Sequence, residues 1–176
     1  MSIKISKCEA ADLEKIGEVY DKVVEYLDAH VNYPKWTYKE YPSKAYAVEM
    51  FRRGEQYKIE KDGVIIGAFV LNTDPAGNYA KVKWDIDLVE GEYLILHALA
   101  IDYDYARQGI GRQVVEFCKK EAKARGIKAL RVDIVPDNAP AQNLYESCGF
   151  VNKGIYDLDR HIDFIPLFTL FEYVIK

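Results

Sequence analysis

The chain has 176 residues, 49% of them apolar and 13% aromatic, which is enough to close a continuous core and excludes a disordered polymer. Its 24 basic and 28 acidic side chains leave a formal charge of -4, which excludes a sequence-independent nucleic-acid binder, because that chemistry needs a basic surface. Cys8, Cys118 and Cys148 are odd in number and lack metal-ligand spacing, so free thiols in or near the core of a protein from a reducing compartment are expected, with no metal site. Lys4, Lys7, Glu9, Asp12 and Glu14 interrupt the start, and no uncharged apolar run has membrane-spanning length. A cytoplasmic protein without membrane contact is the expectation. Nothing repeats and no Pro- or Gly-rich linker divides the chain, so one domain over residues 1–176 is expected.

Ile3 to Cys8 alternates as a short strand. Asp12 then opens a helix whose apolar positions Leu13, Ile16, Val19, Tyr20, Val23, Val24 and Leu27 recur every three or four residues. Tyr33, Trp36, Tyr38 and Tyr41 follow in a Pro-bounded aromatic stretch. Ser43 to Arg53 reads as a second helix ended by Gly54, and Gln56 to Lys61 with Val64 to Leu71 as a hairpin turning at Asp62 and Gly63. After a loop over Asn72 to Asn78, the alternation of Ala80 to Val89 predicts a strand, turning at Glu90, Gly91 and Glu92 into another over Tyr93 to Ile101. Gly111 to Arg125 is amphipathic, with Ile110, Val114, Val115, Cys118 and Ala122 on one stripe and Gly126 as its stop. Lys128 to Val135 predicts a strand. Asp137 or Asn138 caps a helix with Ala141, Leu144, Tyr145 and Cys148 on one face, ended by Gly149, and Phe150 to Leu158 and Phe168 to Ile175 complete the sheet. The expected architecture is α/β (α+β): a mixed, mostly antiparallel twisted sheet of about seven strands with helices on both faces.

The most informative stretch is Leu94 to Arg125, where an apolar strand meets Arg107, Gln108, Gly109, Ile110, Gly111 and Arg112 and then a helix. Such a junction leaves backbone amides unpaired at the positive end of a helix dipole, which outlines a phosphate site. Two nucleotide motifs are excluded by spacing. A dinucleotide turn needs a third glycine where Val114 stands, and a P-loop needs Lys then Ser or Thr where Arg112 and Gln113 stand. What remains is an Arg-x-Gly-x-Gly turn, sized for a pyrophosphate and without an evident Mg2+ ligand, or else a ligand-free strand-to-helix loop.

That turn and its long helix, followed by a strand and then Asn138, Ala141, Leu144, Tyr145, Gly149 and Phe150, resemble the GCN5-related N-acetyltransferases. The resemblance covers nearly the whole chain in element order, and its motifs span Leu94 to Phe150. It implies acetyl-coenzyme A as co-substrate, with the pyrophosphate on the backbone amides of Gln108 through Arg112. It also implies a bulged feeding strand on which the backbone of Leu99, Ala100 and Ile101 pairs with the pantetheine arm. The family's first turn position, usually Arg or Gln, is Ala106 here, and Arg107 sits one residue later.

The chemistry itself sets requirements. An amine attacking a thioester must be neutral, and an alkylammonium of pKa about 10.4 keeps its proton at neutral pH, so a base is useful. The departing thiolate, of parent pKa about 8.5, is helped by a donor such as a phenol of pKa about 10. Tyr145 matches the family's general acid, although its place on the Ala141, Leu144, Cys148 stripe also suits a plain core aromatic. Asn138 is both a helix cap and, by resemblance, a contact to the coenzyme arm. His97 is the candidate base: its ordinary pKa of about 6.5 suits proton removal, and His97 to Ala100 resembles the arylalkylamine branch of the family. A hydrogen-bonded core histidine is the other reading.

The acceptor, by the same resemblance, lies under the loop with His30, Tyr33, Trp36, Tyr38, Glu40 and Tyr41 and the loop with Asp157, Asp159, Arg160 and His161. Aromatic faces and carboxylates suit a small primary amine, and equally an ordinary surface or a homodimer contact. A protein or peptide amine acceptor, a longer acyl group or an alcohol acceptor, and a non-catalytic coenzyme sensor are the alternatives.

Overall fold

The structure is a computed structural model that describes residues 2–176. Seven strands form one sheet in the order β1-β2-β3-β4-β5-β7-β6: β1 (Ile3–Lys7), β2 (Gln56–Lys61), β3 (Val64–Asn72), β4 (Tyr93–Ile101), β5 (Ala129–Ile134), β6 (Val151–Tyr156) and β7 (Phe168–Val174). Four helices accompany it: α1 (Leu13–Ala29), α2 (Lys44–Arg52), α3 (Ile110–Ala124) and α4 (Ala139–Ser147). β4 pairs with β5 in parallel, while β1–β2, β2–β3, β5–β7 and β6–β7 are antiparallel. Ile66, Ala68 and Val70 are as fully buried as Phe69 and Leu71 between them, so both faces of β3 are covered, as the expected architecture requires.

Two compact units can be told apart. The first comprises the described residues through Asn32, with Trp36–Leu71 and His97–Val114. Its core joins Ile16, Val19, Tyr20 and Val23 of α1 and Ala47 of α2 to Ala68, Ala98 and Ala100 of the strands, which is the stripe that the periodicity marks. α1 begins at Leu13, directly after Asp12 as expected, and a short turn leads into it. Ala10–Asp12 is a 3-10 turn, and Asp12 serves it from the third position, accepting from the Glu9 amide at 2.7 Å, rather than capping the α-helix with its side chain. Ser43 caps α2 by accepting from the Tyr46 amide, and Asp62 and Gly63 turn the hairpin with φ of 52° and 79°.

The second unit comprises Tyr33–Lys35, Asn72–Leu96 and Val115–Lys176. Here one expectation is overturned: Ala80 to Val89 is not a strand. Beyond a 3-10 turn at Tyr79–Lys81, the backbone is irregular up to β4. The alternation is nonetheless used, because Val82, Trp84, Ile86 and Leu88 all pack on the core of Tyr93, Ile95, Leu158 and Leu170. Two buried charges hold this segment where a ladder would otherwise be needed. Arg131 of β5 and Glu172 of β7 stand opposite one another and pair at 2.8 Å, at 1% and 0% side-chain exposure. Arg131 donates to the Ile86 carbonyl at 3.0 Å, Glu172 accepts from the Asp85 amide at 2.7 Å, and the guanidinium lies 4.0 Å from the Trp84 ring and 4.3 Å from Tyr93.

All three cysteines are free and buried, as expected. Among the described residues, no helix is long and apolar enough to cross a membrane, and no cluster of His, Cys, Asp and Glu is placed to hold a metal.

Candidate functional site

In the first unit, β4 delivers the chain to the glycine turn. The parallel ladder with β5 covers Tyr93–Ile95, paired with Ala129–Arg131, and the rest of β4 lies beyond it. In that remainder Ala98 has φ of 49°, a left-handed conformation costing an L-residue about 1–2 kcal/mol. A left-handed alanine inside a strand breaks its regular pleat, which is what a bulge does, and such strain persists only where the surroundings impose it. His97, Leu99 and Ile101 are partly exposed, while Ala98 and Ala100 are buried in the core. His97, Leu99, Ala100 and Ile101 thus share one short strand immediately before the turn.

The segment between strand and turn is tied down. Asp102 donates its amide to the Ile66 carbonyl at 2.8 Å, and Lys22 of α1 bridges the Asp102 and Asp104 carboxylates at 2.7 Å each. Those two bonds raise the lysine pKa, so it stays cationic. Arg107 and Gly109 then adopt φ of 59° and 72°, and α3 starts at Ile110. A side chain at Gly109 would meet no atom, so the glycine answers the backbone conformation rather than crowding. Arg107, Gln108 and Arg112 are exposed, and the first turn of α3 holds no acidic residue. Lys61 donates to Gln108 Oε1 at 2.6 Å, which adds a further cation beside the turn. The start of this 15-residue helix carries no acidic residue, and the first amides of a helix, at the positive end of its dipole, are where an anion is stabilised. The residues present therefore fit a pyrophosphate.

In the second unit, the choice between Asp137 and Asn138 is resolved. Asn138 is the cap of α4, its Oδ1 accepting from the Ala141 amide at 3.3 Å. Among the described residues its Nδ2 has no hydrogen-bond partner and remains a donor. α4 ends as the sequence marks it, with Gly149 at φ 88° and Phe150 donating its amide to the Tyr145 carbonyl at 3.0 Å, while Lys119 donates to the Cys148 carbonyl at 2.7 Å. These bonds fix the backbone of Tyr145.

The Tyr145 ring is 5% exposed and lies 5.4 Å from the Phe150 ring and 6.3 Å from Phe171. Its hydroxyl has no hydrogen-bond partner among the described residues. It is also absent from the sealed, unpartnered polar atoms, which are Gln56 Oε1 and Glu60 Oε2, so it keeps access to solvent. Burial, and after it Cys118, Asp133 and Cys148, push its pKa well above the usual phenol range, and it remains a protonated donor. The ring is therefore core, as that reading of Tyr145 expects, and the hydroxyl is left available as a donor.

The structure gathers Leu99, Ala100, Ile101 and Arg107 to Arg112 with His97 in one unit, and Asn138, Ala141 and Tyr145 in the other. Residues 19–150 match the Acetyltransferase (GNAT) family, three quarters of the chain. The chain belongs to that family. The [ribosomal protein bS18]-alanine N-acetyltransferase of Escherichia coli K12 is 44% identical over 84 residues, 48% of this chain and 57% of that one. A streptothricin acetyltransferase of Escherichia coli is 28% identical over 96 residues, 54% of this chain and 52% of that one. This member of the acetyltransferase family thus spans little more than half the length of those curated relatives. Its fold is that of a phosphinothricin acetyltransferase from Sinorhizobium meliloti solved with acetyl-CoA, at a TM-score of 0.72 and 16% identity, over 99% of this chain and 89% of that one.

Of Asp157, Asp159, Arg160 and His161, expected to face an acceptor or to belong to an ordinary surface or dimer contact, the first three make internal bonds, Asp157 to the Asp159 amide. Asp159 takes Lys81 at 2.5 Å and Asn78 at 3.1 Å, while Arg160 holds Asp133. Asp133, on β5 and 12 positions before Tyr145, was not singled out, although a carboxylate inside a mostly apolar strand is the pattern that marks such a residue.

Proposed function

We propose that this protein is an N-acetyltransferase that moves the acetyl group of acetyl-CoA to a primary amine of a small molecule by direct attack in a ternary complex. The observation that carries the reading is the left-handed Ala98 in β4, beyond the β5 ladder and directly upstream of the acid-free, basic start of α3. That arrangement leaves strand backbone at Leu99 to Ile101 for the pantetheine arm and amides from Gln108 to Arg112 for the pyrophosphate, with Arg107 and Arg112 adding positive charge. Asn138 Nδ2 and the backbone near Ala141 are available to the coenzyme arm.

The amine nitrogen attacks the thioester carbonyl, a C–N bond forms and the C–S bond breaks. The ammonium loses one proton through His97 to solvent before attack, Tyr145 gives its hydroxyl proton to the departing thiolate, and the second proton that the nitrogen loses as the amide forms returns, through solvent, to the Tyr145 oxygen. Of the two curated relatives, one is named for a small molecule, streptothricin, and the other for N-acetylation of a ribosomal-protein alanine. With Asp159 and Arg160 engaged internally, recognition of a cationic small amine falls to the exposed Tyr33, Tyr38 and Glu40 of the α1–α2 segment. A peptide amine is the second reading, favoured by the 44% identity to the bS18-alanine enzyme.

Thermal denaturation in acetyl-CoA tests the coenzyme: a ligand at about 100 times its Kd adds about 2.7 kcal/mol, a rise of about 5–10 °C for a chain of this length. No rise at millimolar coenzyme refutes the reading. Thiol release with tyramine, spermidine, lysine and an Ala-initiated hexapeptide then ranks the acceptors, and faster turnover of the hexapeptide decides for the second reading. His97→Gln should lower the rate and flatten the limb of its pH profile on the acid side; an unchanged rate and profile remove His97 as the base.

A further inference from the structure

Two carboxylates stand directly upstream of a turn that suits an anion. Asp102 caps the 3-10 turn Tyr103–Tyr105, Asp104 lies within it, and this connector joins β4 to the left-handed Arg107 and to Gly109. The connector is well bonded. Asp102 Oδ1 accepts from the Asp104 amide at 3.0 Å, the Asp102 carbonyl from the Tyr105 amide at 2.9 Å, and the Tyr103 carbonyl from the Ala106 amide at 3.0 Å. The places from which both carboxylates project are therefore fixed relative to the turn. The stretch from Asp104 to Gln108 spans at most about 14 Å, well within the reach of a charge in dilute salt, about 30 Å at 0.01 M. A diphosphate on the turn is repelled by both.

One cation from outside the strand–turn–helix motif answers them. Lys22 of α1 donates to Asp102 Oδ2 and to Asp104 Oδ2, at 2.7 Å each, and its ammonium lies 4.9 Å from the centroid of the Tyr103 ring. That ring stacks in turn on Tyr26, one helical turn further along α1, at 4.2 Å with the planes 14° apart. One face of α1 thus grips the connector through a charge and a ring. One ammonium against two carboxylates leaves this group at a net charge of -1, and without the lysine it stands at -2. We propose that Lys22 is a positioning residue for the coenzyme: by holding Asp102 and Asp104 against α1 and cancelling one of their two charges, it lets the diphosphate of acetyl-CoA settle on the amides of Gln108 to Arg112. This inference rests on the acetyltransferase reading above.

The test is a charge cycle read by calorimetry. The Kd of acetyl-CoA is measured for the wild type, Lys22→Met, Asp104→Asn and the double variant, each at about 20 mM and about 300 mM salt. Lys22→Met leaves both carboxylates uncompensated and should weaken binding about tenfold at the lower salt, but about threefold or less at the higher, where exposed charges are screened. Asp104→Asn breaks half of the same bridge yet removes a repelling charge, so it should tighten binding about threefold at the lower salt. The double variant restores the net charge of -1 and should return to within about twofold of the wild type. A bridge that is merely structural would make both single variants weaken alike. Weakening by Asp104→Asn, an unchanged Kd in Lys22→Met, or a loss that salt does not shrink overturns the proposal. If Lys22→Met fails to fold, the sign of the Asp104→Asn effect decides alone, since Asp104 is 58% exposed and its loss is tolerated by the core. A wild type that binds no acetyl-CoA overturns the acetyltransferase reading itself, whereas a wild type that binds, with the wrong pattern among the variants, overturns only the role of Lys22.

Discussion

Tyr145→Phe separates the two roles that one residue carries. The substitution removes a single oxygen from a ring that is 5% exposed and packed at a tilt against Phe150 and Phe171, and both ring contacts survive it. Because the hydroxyl has no hydrogen-bond partner among the described residues, no acceptor is orphaned, and the stability change should stay within about 0.5 kcal/mol. General acid catalysis contributes about 10²–10⁴ in rate, or about 2.7–5.5 kcal/mol of transition-state stabilisation. The expected result is therefore a large loss of kcat with an unchanged melting temperature and an unchanged acetyl-CoA Kd. Since the phenol pKa lies far above the usual range, its protonation does not change across neutral pH, and the loss should be the same from pH 6 to 9. The assay is thiol release from acetyl-CoA beside a urea titration. Full activity in Tyr145→Phe would refute the assignment of the acid, and an equal fall in stability would show that the hydroxyl is structural.

Gly109→Val places a β-branched residue at φ 72°, where no neighbouring atom obstructs it, so it should cost about 1–2 kcal/mol of backbone strain and weaken acetyl-CoA binding by calorimetry without displacing the core. Glu172→Gln leaves Arg131 charged at 1% exposure without its counter-charge and with one acceptor oxygen where the Asp85 amide and the guanidinium now use two, which should cost about 3–5 kcal/mol in urea denaturation. Burial alone would raise the Asp12 carboxyl, but the Glu9 amide and the Lys58 ammonium, 2.9 Å away, bring it below the usual range. A group with a depressed folded pKa stabilises above its unfolded value of about 3.9 and loses that contribution as pH falls through the folded one, so Asp12→Asn should flatten the acid limb of the stability curve below about pH 4.

The sequence carried most of the scaffold because its elements announce themselves locally. The α1 stripe, the Asp62–Gly63 turn, the Asn138 cap and the Gly149 stop each rest on residues within a few positions of one another. The glycine turn was legible for the same reason. What misled was the alternation from Val82 to Leu88, a true signal of one buried face that does not say what satisfies the backbone. The answer came from Arg131 and Glu172, remote in sequence and visible only as charges inside apolar runs. The left-handed Ala98 could not be read at all, since alanine has no preference for that conformation and tertiary packing imposes it. The bonds of Arg160 were not legible beside its place in a candidate acceptor loop, because its partners, Asp133, Pro75 and Ala76, are brought to it by the fold.

The short ladder of β4 bears on how this protein behaves in a tube. Past Ile95 the strand no longer shares rungs with β5, and an open strand edge is a template on which a second chain can add itself. The coenzyme arm, seated there, would act as a removable edge guard. Preparations stripped of coenzyme should slowly gain high-mass species in light scattering at storage concentration, and coenzyme A added in excess should keep them monodisperse, so the ligand doubles as a formulation agent.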